Sequence, residues 1–155
     1  MTAGNGGATA WPARRPPSDG RPVGHWVVRT STELTAARRE LMALAADIPA
    51  PPRPEVAGRP AIALPDRLAL LLSELVTNVL RHATPPAEVV VSQADGRCLI
   101  DVADPAVDVP PTPEDDRSPG LGGHGLPLVA ELALDRGWYV EGDHKHVWAV
   151  LRTGV

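Results

Sequence analysis

Glu74-Leu75-Val76-Thr77-Asn78 sits within the stretch Leu71 to Ala83, and this short run decides the fold. Leu68, Leu71, Leu72, Leu75, Val76, Val79 and Leu80 recur at helical spacing and form a broad apolar surface. Glu74 and Asn78 interrupt that surface one turn apart, so they share a face. Two readings stand side by side. One is a polar i,i+4 pair on a solvated stripe. The other is a face for a cation and for proton transfer. The side-chain carbonyl of Asn78 is a hard oxygen ligand suited to Mg²⁺. The carboxylate of Glu74 can take a proton from an attacking hydroxyl or water.

Pro65 and Asp66 open this helix, with proline in the first turn and an acid near the positive end of the dipole. Thr84-Pro85-Pro86 stops it. Further along, Asp101-Val102-Ala103-Asp104 ends an apolar strand. A carboxylate at Asp104 can accept a hydrogen bond from an exocyclic amine such as that of adenine. It can equally be a turn-initiating Asp before Pro105. Then comes Gly120-Leu121-Gly122-Gly123-His124-Gly125-Leu126-Pro127-Leu128-Val129. Glycines let backbone N–H groups close on a ligand, and the helix that follows offers its free N–H groups to phosphates. Taken alone, the stretch is also an ordinary flexible loop. The GxxxxGK[ST] phosphate loop and the protein-kinase His-Arg-Asp motif are both absent.

Glu74 to Asn78, Asp104 and Gly123 to Val129 come in the order and spacing of the N, G1 and G2 boxes of one ATPase superfamily, that of gyrase, heat-shock chaperones, histidine kinases and MutL. Leu71 to Ala83, with Arg81-His82-Ala83, resembles its stand-alone anti-sigma-factor serine/threonine kinases, and Val147 to Leu151 resembles their final strand. The resemblance covers roughly residues 25–152. It implies a two-layer α/β sandwich of the Bergerat type with ATP under a mobile lid. It further implies that Asn78 holds Mg²⁺, Glu74 is the general base and Asp104 contacts adenine. Gly120, Gly122, Gly123, His124, Gly125 and Leu126 then form the phosphate-binding stretch, with Gly123 and Gly125 shaping its turn. Arg117 in the lid is placed to stabilise charge on the γ-phosphate. The implied partners are an anti-sigma-factor antagonist protein, phosphorylated on serine or threonine, and a sigma factor; a homodimer is left open.

Two departures from the family pattern fall near the expected adenine site. Pro105-Ala106-Val107 follows Asp104 where the family carries glycines, and Asp143-His144-Lys145-His146 stands where glycine and threonine are usual. They keep a second reading in view, a non-catalytic module of the same fold that sequesters a regulatory partner.

The rest of the chain fits one domain. Of 155 residues, 43% are hydrophobic but only 3% aromatic, and Phe is absent, so the core must be built from Leu, Val, Ala and Ile. Residues 1–24 have no apolar periodicity and read as a disordered tail. Residues 25–155 read as the ATP-binding domain. Within it the expected elements are a strand at 25–29, a helix from the capping-box sequence Thr30-Ser31-Thr32-Glu33 to about Asp47, and a Pro-rich spacer at 49–60. Strands at 88–93 and 97–104 flank the turn Ala94-Asp95-Gly96. A long loop at 105–123, a helix at 124–134 and strands at 138–141 and 147–152 complete an α+β fold: a mixed sheet with helices on one face.

The formal net charge is -4 and no basic stripe with interleaved aromatics appears, which argues against direct nucleic-acid binding. Purely apolar runs such as Leu68 to Leu72 are too short to cross a bilayer. With no signal-peptide pattern and one cysteine, Cys98, the expected location is the cytoplasm. His144 and His146, with Cys98 and His124, lack compact metal-ligand spacing and read as exposed turn residues and a small core residue.

Overall fold

The computed structural model describes residues 11–49, 62–111 and 133–154. Five strands and two helices are present among them: β1 (Arg21–Val28), α1 (Ser31–Ala45), α2 (Leu64–His82), β2 (Ala87–Ala94), β3 (Arg97–Asp104), β4 (Asp135–Glu141) and β5 (His144–Arg152). The strands form one sheet in the order β1-β2-β3-β5-β4. All four pairings are antiparallel. The expected mixed sheet is therefore corrected to an antiparallel one. Among the described residues the one parallel contact is an isolated bridge between Ala13 and Trp138.

Local signals account for both helices. The Thr30 side chain accepts from Glu33 N–H at 3.2 Å, and the Glu33 carboxylate accepts from Arg29 N–H at 2.6 Å, closing the start of α1. Leu34, Ala37, Leu41 and Ala45 form its buried stripe. α2 has Pro65 in its first turn and no side-chain cap. It is anchored by burial instead: Leu64, Leu68, Leu71, Leu72, Leu75, Val76 and Val79 all lie in the core. Strand alternation supplies the other half. Val89 and Val91, Cys98, Ile100 and Val102, and Val147, Ala149 and Leu151 face the helices as one cluster. Burial pushes the Cys98 thiol up to about 11, so it serves as a small apolar filler rather than a thiolate.

The N-terminal expectation needs a second correction. From Trp11 onward the segment read as a tail is packed on the domain, and β1 begins at Arg21 rather than at residue 25. Trp11 is 6% exposed and joins the core cluster. Arg14 N–H donates to Trp138 O at 2.9 Å, and Trp138 N–H donates to Pro12 O at 3.0 Å, so residues 12–14 line the outer edge of β4. The Trp148 indole N–H donates to Arg14 O at 2.9 Å. Gly137 makes this possible, because a Cβ there would lie 2.7 Å from the Trp148 ring and 3.0 Å from Arg14. Ion pairs Arg14–Asp135, Arg15–Glu141 and Arg97–Asp19 fasten the strap at its rim. One large aromatic and three charged anchors carry no periodicity, which is why composition suggested disorder.

The last two strands start earlier than expected. β4 begins at Asp135 and β5 at His144, joined by a tight turn with Gly142 at φ +63°, a backbone region suited to glycine. The expected helix at 124–134 lies outside the described residues except at its end, where Ala133 and Leu134 are not helical. The Pro-rich spacer falls almost wholly outside them too. Among the described residues no helix is long and apolar enough to cross a membrane.

Candidate functional site

The connection from α2 to β2 is only residues 83–86, so the end of α2 lies beside the start of β2. The start of β2 pairs with the end of β3, Glu88 opposite Ala103. This topology brings Asn78, one turn from the end of α2, and Asp104, the last residue of β3, to one end of the domain. β5 starts at that end as well, with Lys145 opposite Asp104. Asp104 continues the inward-facing row of Cys98, Ile100 and Val102, on the side where α2 packs.

Asn78 is 9% exposed although it is polar. Glu74, one turn earlier on the same face, is half-buried. Neither residue sits on a freely solvated stripe, which disfavours the simplest reading of the pair. An amide oxygen and a carboxylate on one half-buried helical face suit a hard divalent cation such as Mg²⁺.

Asp104 is completely buried. Its Oδ1 accepts from Ala106 N–H at 2.8 Å, as expected of a turn-initiating Asp before Pro105. Its Oδ2 has no hydrogen-bond partner and lies 3.4 Å from Lys145 Nζ. Lys145, equally buried, donates to Val109 O at 2.5 Å. Asp104 thus organises the turn through one oxygen and faces Lys145 with the other. Lys145 is the residue that sequence reasoning missed. It was placed in a turn, and only the strand register reveals its position against Asp104.

Seven of the expected site residues, Arg117, Gly120, Gly122, Gly123, His124, Gly125 and Leu126, lie outside the described residues. Of the expected long loop, residues 105–111 are described and form turns without regular structure.

His144 and His146 occupy β5, not a turn. They belong to the opposite face of the sheet from Cys98, so these three form no shared ligand set. His144 Nδ1 lies 2.8 Å from Asp143, and His146 Nδ1 lies 2.7 Å from Asp101 Oδ1. The Tyr139 ring stacks on His146 at 4.6 Å and its hydroxyl donates to Asp101 Oδ2 at 3.2 Å. For His146, desolvation is the largest influence and lowers its pKa. The hydrogen bond and charge of Asp101, with Glu141 and Glu88, together outweigh it and leave the pKa above 6.5. A pKa raised by folding gives stability that is complete below the unfolded value and is lost as pH rises through the folded one. His146→Gln should therefore cost more stability at pH 5.5 than at pH 8.5. Denaturant unfolding across that range checks this, and a cost independent of pH would rule out the protonated pair.

A family model describing a histidine kinase-like ATPase domain matches residues 27–151. A search of curated proteins finds no match. The antiparallel sheet with two helices on one face, and the family match across nearly the whole folded region, lead to one assignment: the chain belongs to the histidine kinase-like ATPase domain family.

Proposed function

We infer that the chain is an ATP-binding, anti-sigma-factor-like serine/threonine kinase that phosphorylates a protein antagonist and so regulates a sigma factor by partner switching. The family supports ATP binding. The observation that most favours a working nucleotide site is the buried Asp104 carboxylate, whose Oδ2 lacks a hydrogen bond at the end of the sheet that α2 reaches. An unsatisfied buried acceptor is costly, and a ligand N–H relieves that cost.

In this reading Asp104 holds the adenine amino group. Asn78 would hold Mg²⁺, which when bound neutralises charge on the transferring phosphate. Glu74 takes the proton of the partner's serine or threonine hydroxyl as that oxygen bonds to the γ-phosphorus and the bond to the β-phosphate oxygen breaks. The stretch 120–126 wraps the phosphates on the strength of the family resemblance, and Arg117 supports the γ-phosphate on the strength of its position in the sequence alone. Catalysis is then mostly positioning and electrostatics. Cytoplasmic location belongs to the same proposal.

The rival is a binding module of the same fold without turnover. The observation in its favour is the Lys145 ammonium standing against Asp104. Incubation with labelled ATP and Mg²⁺ beside candidate antagonists, followed by phosphosite mapping, separates the two. Transfer to serine or threonine supports the kinase. ATP binding without transfer to any candidate favours the module, and no ATP binding at millimolar concentration defeats both nucleotide readings. In the same assay, Asn78→Ala should weaken Mg²⁺-dependent ATP binding about tenfold or more, the scale of losing one well-placed polar contact. Unchanged binding would remove Asn78 from the magnesium site.

A further inference from the structure

Lys145 is the chain's single lysine, and it is buried within the domain. An ammonium carries three N–H donors, and a carboxylate oxygen accepts through more than one lone pair. Nζ makes one hydrogen bond, to Val109 O. Its 3.4 Å separation from Asp104 Oδ2 exceeds the 2.7–2.9 Å of a charge-assisted hydrogen bond, so the pair is in contact without being fully engaged. Oδ1 is already committed to Ala106 N–H. Asp104 and Lys145 therefore present one acceptor and one donor side by side at the end of β3 and β5. The segment carrying Val109 is tied to the lysine.

We propose that Lys145 sets the base preference of the nucleotide site by competing with the ligand's exocyclic amine for Asp104. This rests on the ATP-binding reading above. Adenine carries an amino donor at ring position 6, whereas hypoxanthine carries a carbonyl acceptor at the same place. An amine approaching Oδ2 must draw that oxygen from a cation, so adenine gains less than it would from a solitary carboxylate. A carbonyl in the same position would repel Asp104 but accepts from the Lys145 ammonium, so hypoxanthine loses less. The lysine flattens a discrimination that Asp104 alone would make steep, because specificity is a difference between two affinities.

The test is calorimetric titration of the full chain with ADP and separately with IDP, each with Mg²⁺, for wild type and Lys145→Met. Methionine keeps the unbranched apolar stem and removes the charge. ADP should bind more tightly to the variant and IDP more weakly, raising the ADP-to-IDP preference by at least about tenfold, a modest share of what a hydrogen-bond mismatch in a built site is worth. If both affinities move together and the preference stays constant, Lys145 only supports the turn and the proposal fails while ATP binding stands. If neither nucleotide binds to either protein, the ATP-binding reading fails and the proposal with it. Should thermal melts show Lys145→Met unfolded, Lys145→Gln takes its place. It keeps a neutral donor, so the preference should shift in the same direction by a smaller factor, and an unshifted preference again overturns the proposal.

Discussion

Glu74→Ala should slow the proposed phosphate transfer by about 10²–10⁴-fold, the usual worth of a positioned base, and leave ATP binding largely intact. The expectation follows from the division of labour on α2. Asn78 is the more buried of the two and Glu74 is half-buried; the proposed function gives Asn78 to cation binding and Glu74 to the partner's hydroxyl. Alanine is the best helix former, so the variant should keep α2 and its apolar anchors. Single-turnover transfer and equilibrium binding, measured on the same preparation, separate the two effects. Transfer at the wild-type rate would falsify the assignment of Glu74 as base. Loss of binding together with transfer would instead mean that Glu74 helps to hold the nucleotide.

Removing residues 1–20 lowers the melting temperature by more than about 10 °C. The strap buries Trp11 and covers Trp148, and truncating a buried aromatic costs about 3–5 kcal/mol. For a domain of this size each kcal/mol is worth a few degrees. Trp11→Ala alone should account for most of the loss, since the ion pairs at the rim are exposed and contribute little each. Circular dichroism melts of the truncated chain and of Trp11→Ala check this. An unchanged melting temperature would return the segment to the status of a dispensable tail.

The elements that the sequence disclosed are those whose signals are local. Thr30 and Glu33 start α1, Pro65 starts α2, and Asp95-Gly96 turns β2 into β3, with Gly96 at φ +75°. The apolar spacing of α2 marks most of its buried face, from Leu68 to Val79, but not Leu64 or Ala69, and it includes Leu80, which is only partly buried. What escaped notice depends on partners distant in sequence. Trp11 looks like one aromatic in a Pro-rich stretch until the bonds of Pro12 and Arg14 to Trp138 and Trp148 bring it into the core cluster. The row 143–146 reads as a polar turn because Lys145, His144 and His146 are polar. Each is nonetheless matched across a ladder: Lys145 to Asp104, His146 to Asp101 through their side chains, and His144 to Glu141 through the backbone. Hydrophobic patterning is blind to a strand whose polar residues are satisfied by such pairing. The family resemblance located the chemistry of α2, but the relation of Lys145 to Asp104 follows from register alone.

The strap has one more consequence, for how copies of the sheet can join. The order β1-β2-β3-β5-β4 leaves two flanks, and residues 12–14 occupy the β4 flank with backbone hydrogen bonds to Trp138. Among the described residues, the strap plugs β4 at its middle residue, whereas β1 has no strand on its outer side. A plugged flank is a poorer template for strand addition than an open one. Two copies meeting β1 to β1 about a twofold axis would present plugged flanks on both outer sides. Head-to-tail growth needs two open flanks on every copy, so the strap disfavours extension from a pair to a fibre through the described strands.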